Sequence, residues 1–194
     1  IIRKMERRYG NNGNIVQVKN YLSGNEYAAT DFDYDNYGNI IKVTYPANES
    51  NQRTSYRYSY DSATNTYLSL VIDDFGDSIQ LCNYDYRFGK PTCVVAQNGT
   101  RTLYTYYSDG KMESVKAPTD LVYSARFEYW VTLSNQNHSR WARVIHHDTI
   151  NAGNTFVTQT VCDGLGRTMQ TARKSVVDGS TKYVVSGKNA YDVY

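Results

Sequence analysis

His146, His147 and Asp148 stand side by side, with His138 a short way upstream, and form the one titratable cluster whose residue types could hold a metal or move a proton. On an extended strand His146 and Asp148 share a face while His147 points away, so the local sequence brings two ligands together rather than three. A metal-dependent hydrolase around His146 and Asp148 would need further ligands, and partners to orient them, which the sequence does not supply. No catalytic residue, metal ligand or cofactor is therefore assigned. The serines lack a Gly-x-Ser-x-Gly elbow, and no phosphate loop or dinucleotide fingerprint is present. Cys82, Cys93 and Cys162 are an odd number without CxxC spacing, which points to small buried hydrophobes rather than a zinc site or a disulfide framework. Asn48-Glu49-Ser50, Asn98-Gly99-Thr100 and Asn137-His138-Ser139 match the N-glycosylation acceptor pattern, which polar Asn-rich turns also produce by chance.

The next candidate chemistry is aromatic. Twenty tyrosines stand against five phenylalanines and two tryptophans. Tyr56, Tyr58 and Tyr60 alternate with Arg57 and Ser59, and Tyr104 and Tyr106 repeat the spacing, so each row puts its rings on one face of a strand. Tyr56, Tyr58, Tyr104 and Tyr106 are candidate glycan contacts; the competing reading is ordinary cross-strand packing on the inner face of a sheet. Lys and Arg number 21 against 19 Asp and Glu, scattered without the basic stripe that nucleic acid requires. No apolar run is long enough for a membrane helix, and there is no signal peptide.

The elements that must position these residues come from a repeat. Take Tyr34 as offset zero: Asp35 follows, Gly38 stands at plus four, Asn39 at plus five and Val43 at plus nine. Tyr9 and Gly13 fit that frame, as do Ile72, Asp73 and Gly76, Tyr106 and Gly110, and Cys162 with Asp163, Gly166 and Arg167. Tyr84 and Asp85 fit with one residue inserted before Gly89. Tyr60-Asp61 has Thr64 where glycine is expected, and Tyr191-Asp192 opens a further copy. Each copy reads as a β-hairpin in which glycine takes the positive φ of the turn and Asp or Asn satisfies turn amides. Gly13, Gly38, Gly110 and Gly166 are therefore expected at positive φ. Asn98-Gly99 reads as a two-residue hairpin and Asp178-Gly179 as a final turn. Between residues 115 and 160 the frame lapses. Leu121, Tyr123, Ala125, Phe127 and Tyr129 alternate there, a polar loop spans Ser134 to Ser139, and Trp141 to Ile150 returns, as a diverged repeat or an insertion. Met169, Ala172, Arg173 and Val176 come closest to a helical period, though a strand fits equally well. Counting runs between turns gives about fourteen short strands, so the class is all-β.

The Tyr-Asp-x-x-Gly-polar-apolar frame, best seen at Tyr34–Ile40 and in Asp163-Gly164-Leu165-Gly166-Arg167, resembles the YD repeat of the Rhs and YD-repeat proteins, from Tyr9 to Asp192. That resemblance implies consecutive antiparallel β-hairpins forming a spiral or an open piece of a β-shell. It implies a non-catalytic scaffold in a large secreted or cell-surface bacterial protein, such as a polymorphic toxin, an insecticidal toxin complex or a wall-associated protein, with related shells in teneurins. The implied partners are other YD repeats of the same polypeptide and an enclosed C-terminal toxin or a surface glycan. The core segment that closes such shells and carries self-cleavage is not found, and Asn14, Asn39 and Lys111 depart from the usual Gly-Arg. The chain starts at Ile1 without methionine and ends inside a repeat, so it is expected to be one array, residues 1–194, cut from a longer protein. The isolated piece is expected to self-associate through Ile1–Tyr9 or Lys182–Tyr194, because open strand edges offer unpaired backbone groups.

Overall fold

The structure, a computed structural model, describes residues 4–133, 138–148 and 154–191. It divides into two compact units, Ile1–Arg101 and Thr102–Tyr194. The first contains β1 (Met5–Tyr9), β2 (Ile15–Ser23), β3 (Glu26–Tyr34), β4 (Ile40–Thr44), β5 (Ser55–Tyr60), β6 (Leu68–Asp73), β7 (Ser78–Asp85) and β8 (Lys90–Val95). Each strand pairs antiparallel with the next. β9 (Arg101–Tyr106) starts at the boundary. The second unit continues with β10 (Met112–Lys116), β11 (Ala125–Leu133), β12 (His138–His147), β13 (Thr155–Cys162), β14 (Thr168–Val177) and β15 (Ser180–Lys188), again paired in order. No helix occurs among the described residues; Met169–Val176 lies within β14.

Antiparallel order places alternate turns at opposite ends of each sheet. In the first unit the turns after Tyr9, Tyr34, Tyr60 and Tyr84 share one end, whereas the Ile72-Asp73-Gly76 copy sits at the other. The structural period is therefore a hairpin, and the Ile72 copy is its far turn. Gly13, Gly38, Gly110 and Gly166 have φ of 81°, 88°, 80° and 82°. In the reference copy the Asp35 amide donates to the Asn39 carbonyl (3.0 Å) and the Gly38 amide to the Asp35 carbonyl (3.3 Å), while the ladder slips by one residue between Asp33 and Tyr34. This is a three-residue hairpin loop closed by a glycine bulge.

Three local expectations change. Asn98-Gly99 forms this same bulged turn, not a two-residue loop: Gly99 donates to the Ala96 carbonyl and only Gly99 has positive φ, whereas a two-residue type I′ loop needs it at both positions. Asp178 and Gly179, at 51° and 73°, do form the two-residue type. The expected alternation from Leu121 is broken because Ser124 closes a loop: its amide donates to the Val115 carbonyl, and its hydroxyl accepts from the Ala117 amide. This leaves Leu121 88% exposed and starts β11 only at Ala125. Cys82 and Cys93 are disulfide-bonded rather than free hydrophobes, because register places them directly opposite each other on β7 and β8 with Cα atoms 4.9 Å apart; only Cys162 is free.

The sheets are thin. Buried apolar residues among those described are Val43, Cys93, Ala125, Val157 and Ala172. The accessible surface is 13,965 Å², whereas even two separate compact units of half this mass would expose only about 11,000 Å². β1 and β15 are exposed along their whole length. Ile1 to Arg3, Ser134 to Asn137, Ile150 and Asp192 to Tyr194 lie outside the described residues.

Candidate functional site

The residues with the strongest catalytic look cluster at the end of β12. His146 lies near the end of β12 opposite Ala125 and Phe156; His147 opposes Thr155, with its ring 6.1 Å from Tyr123. Asp148 is buried just past the strand, its amide on the Asn154 carbonyl. Among the described residues no three His, Cys, Asp or Glu side chains could share a metal ion. Of His138 only the strand position is described.

What does recur is a division of labour within the repeat. The tyrosine at offset zero reaches back one hairpin: the Tyr34 hydroxyl donates to the Ile15 carbonyl (2.8 Å), Tyr60 to Ile40 (2.9 Å), Tyr84 to Leu68 (2.5 Å) and Tyr191 to Thr168 (2.9 Å). Each acceptor opens the strand after the preceding turn and pairs across the ladder with that turn's own offset-zero residue: Tyr9 with Ile15, Tyr34 with Ile40, Tyr60 with Leu68, Cys162 with Thr168. A ring packed on the sheet and a hydroxyl aimed at a backbone oxygen require tyrosine; phenylalanine would fill the space without donating. Burial raises the Tyr60 and Tyr84 phenols, which keeps them as O–H donors.

The aspartate at plus one satisfies the turn. Asp35 Oδ1 accepts from the Tyr37 and Asn39 amides, Asp73 Oδ1 from Phe75 and Asp77, and Asp163 Oδ1 from Leu165 and Arg167. Where plus one cannot accept, the acceptor moves to plus three: Asn12, Asn98 and Asp109 receive the amides of Asn14, Thr100 and Lys111. The rule exposes a copy that the tyrosine frame misses. Asn48 accepts from Ser50 and Gln52 amides, and Asn51 takes the glycine place at φ 57°. In the Tyr60 copy the loop is longer, and Asn65 (φ 52°) supplies the positive φ that Thr64 cannot.

The plus-five residue ties one copy to the next. Asn39 donates to Asp35 Oδ2 (2.9 Å) and to the Asn65 carbonyl of the following turn (2.7 Å). Arg167 pairs with Asp163 (2.6 Å) and stacks over Tyr191, 4.3 Å from its ring centre. Lys111 pairs with Asp109 (2.5 Å) and lies 5.6 Å over Tyr129. The departures from Gly-Arg at Asn39 and Lys111 thus still bridge.

Asp61 shows the electrostatics most clearly. Burial pushes its carboxyl upward, but the Tyr67, Thr64 and Thr66 amides and the Thr64 hydroxyl outweigh that and hold it far below the ordinary carboxylate range. Asp35 and Asp163 are shifted the same way: burial raises them, while hydrogen bonds from Asn39 and from Arg167, respectively, lead the lowering. A carboxyl whose pKa is lower folded than unfolded contributes stability above its unfolded pKa, about 3.9, and loses it as pH falls toward the folded value. The melting temperature should therefore drop steeply below about pH 4. Asp61→Asn, which keeps an acceptor oxygen but cannot titrate, should flatten that drop; an unchanged acid limb would show that Asp61 does not carry it.

The proposed glycan rows are largely committed to packing. Tyr58 is half-buried among Ile40, Val43 and Tyr60, while Tyr56, 39% exposed, meets Tyr45 edge-on at 6.0 Å. Tyr104 and Tyr106 are half-buried opposite Val115 and Met112. An aromatic cluster not singled out from sequence lies on β11 and β12: Trp130 and Trp141 are cross-strand partners stacked at 3.8 Å, with the Arg143 guanidinium within 5.3 Å of both ring centres and paired to Glu128 (3.2 Å). Trp130, 40% exposed, borders a hollow of about 410 Å³ with Tyr107, Asp109, Arg126 and Glu128. Because the residues joining β11 to β12 carry no copy of the motif, the sequence does not mark the register of this pair.

No family model matches the chain, and no curated protein matches it. A solved structure described as the crystal structure of TcdB2-TccC3 superposes on 98% of this chain with a TM-score of 0.66 at 12% identity, covering 11% of that chain. At that identity the likeness is one of fold: the antiparallel hairpins that the YD-repeat resemblance implies are the hairpins this chain has.

Proposed function

We propose that residues 1–194 are a non-catalytic scaffold segment of a large YD-repeat protein, one stretch of a continuous hairpin array. The observation that supports this most is the tyrosine clamp, found at four offset-zero positions and always on the equivalent carbonyl. A device that fastens each hairpin to the one before it serves an array of any length. This chain spans only 11% of the length of TcdB2-TccC3, whose fold it shares, which fits a part of a shell enclosing or presenting another module. The surface in excess of compact units fits faces completed by further repeats. The Cys82–Cys93 disulfide fits a secreted or cell-surface location, where the redox poise is oxidising. Cryo-electron microscopy of the complete polypeptide tests the reading. A strand following Asp192 should pair along β15 with the Tyr191 clamp intact; β15 facing bulk solvent in the whole protein would overturn it.

A second reading, a glycan-contact surface, is supported at the Trp130 hollow rather than at the tyrosine rows. A partly exposed indole beside Arg126, Glu128 and Asp109 offers a stacking face with donors and acceptors for hydroxyls. Binding on a glycan array that is abolished by Trp130→Ala and retained by Tyr56→Ala would support it. Binding lost only in Tyr56→Ala or Tyr104→Ala would return the site to the tyrosine rows.

A further inference from the structure

The two bonded cysteines are chemically unequal. Cys93 is 1% exposed, whereas Cys82 is half-buried. Arg101 places its Nη2 3.9 Å from Cys82 Sγ. A thiolate is the nucleophile in disulfide exchange, and a neighbouring guanidinium together with partial exposure favours its formation and its access to a partner. Burial opposes both at Cys93. The β7–β8 ladder continues on either side, with Gln80 opposite Val95 and Tyr84 opposite Pro91, so backbone pairing holds the two sulfurs together even when no bond joins them.

We propose that Cys82 is a thiol-exchange site, the sulfur that captures a low-molecular-weight disulfide of the glutathione class, and that Cys93 is its resolving partner. In the first step the Cys82 thiolate attacks one sulfur of the small disulfide, forming a mixed disulfide on Cys82 and expelling one small thiolate. In the second, Cys93 loses its proton to solvent and attacks Cys82 Sγ, forming the Cys82–Cys93 bond and expelling the second small thiolate. Two protein thiols are oxidised, one small disulfide is reduced to two thiols, and the sulfurs balance. Reduction by a small thiol retraces the path: attack falls on half-buried Cys82 and expels the Cys93 sulfur into an enclosed position, so opening is the slow direction.

The test uses Cys162→Ser as background, which removes the free third thiol. Reduced Cys93→Ser protein and reduced Cys82→Ser protein are each incubated with oxidised glutathione at fixed pH, and the mass adduct is followed. Capture at Cys82 should be at least tenfold faster than capture at Cys93, and Arg101→Gln should slow it severalfold while leaving Cys93 unchanged. If either serine variant fails to fold, brief alkylation of the reduced two-cysteine protein, followed by peptide mapping, reads the same ratio, with the urea-unfolded chain as reference. A native ratio equal to the unfolded one, or faster reaction at Cys93, would overturn the assignment. Preferential Cys82 reaction that is indifferent to Arg101→Gln would overturn the guanidinium's part in it.

Discussion

Replacing Tyr34, Tyr60 and Tyr84 together by phenylalanine should lower the melting temperature by roughly 10 °C. Each substitution keeps the ring and deletes only the hydroxyl that donates to Ile15, Ile40 or Leu68. A single hydrogen bond of this kind contributes about 1 kcal/mol net, and its loss leaves a strand-opening carbonyl without its donor. The three clamps share no acceptor, so their effects should add to about 3 kcal/mol. Tyr37→Phe is the control: Tyr37 is 70% exposed at the turn tip, and its loss of a hydroxyl should fall within about 0.5 kcal/mol of zero. Calorimetry of the triple variant beside the control decides the matter. A triple variant as stable as the control would mean that tyrosine is present at offset zero for its ring alone.

The second large effect separates backbone strain from packing. Gly38 and Gly89 both have positive φ, 88° and 62°, so alanine at either costs about 1 kcal/mol of left-handed strain. They differ in what a methyl group would meet. At Gly38 there is nothing within 4 Å; at Gly89 the new carbon would lie 2.6 Å from Cε1 of Tyr67. That ring cannot easily swing aside, because it stacks on Tyr84 at 5.1 Å and 22° and also meets Tyr86 at 5.8 Å. Overpacking of this kind adds about 1–3 kcal/mol, so Gly89→Ala should cost about 3 kcal/mol against about 1 for Gly38→Ala. Urea unfolding of the two variants measures the difference. Equal losses would show that the tyrosine stack yields freely and that the turn backbone is the whole effect.

The turns and the strand class were readable without coordinates because their causes are local. Gly38 is needed at positive φ by the four residues around it, and alternating runs such as Ile41-Lys42-Val43 need no partner to be recognised as strand. The shift of the turn acceptor from plus one to plus three was equally local. Asn12, Asn98 and Asp109 each stand one residue before a turn glycine. The Asn48 copy, which a frame anchored on tyrosine passes over, keeps its acceptor at plus one and puts Asn51 in the glycine place.

What tertiary structure alone decided is everything that depends on register between strands. The Cys82–Cys93 bond follows from a turn nearly equidistant from both residues, and a one-residue error in placing it would send the two sulfurs to opposite faces. The same holds for Trp130 and Trp141, whose connecting loop carries no copy of the motif. The clamps join residues 16 to 23 positions apart, so their acceptors are backbone carbonyls of no particular residue type, and nothing in a side-chain sequence marks a carbonyl as an acceptor. Local turn chemistry was therefore written in the chain itself. The function of the tyrosines in fastening hairpin to hairpin became visible only once the ladders had set which carbonyl each hydroxyl meets.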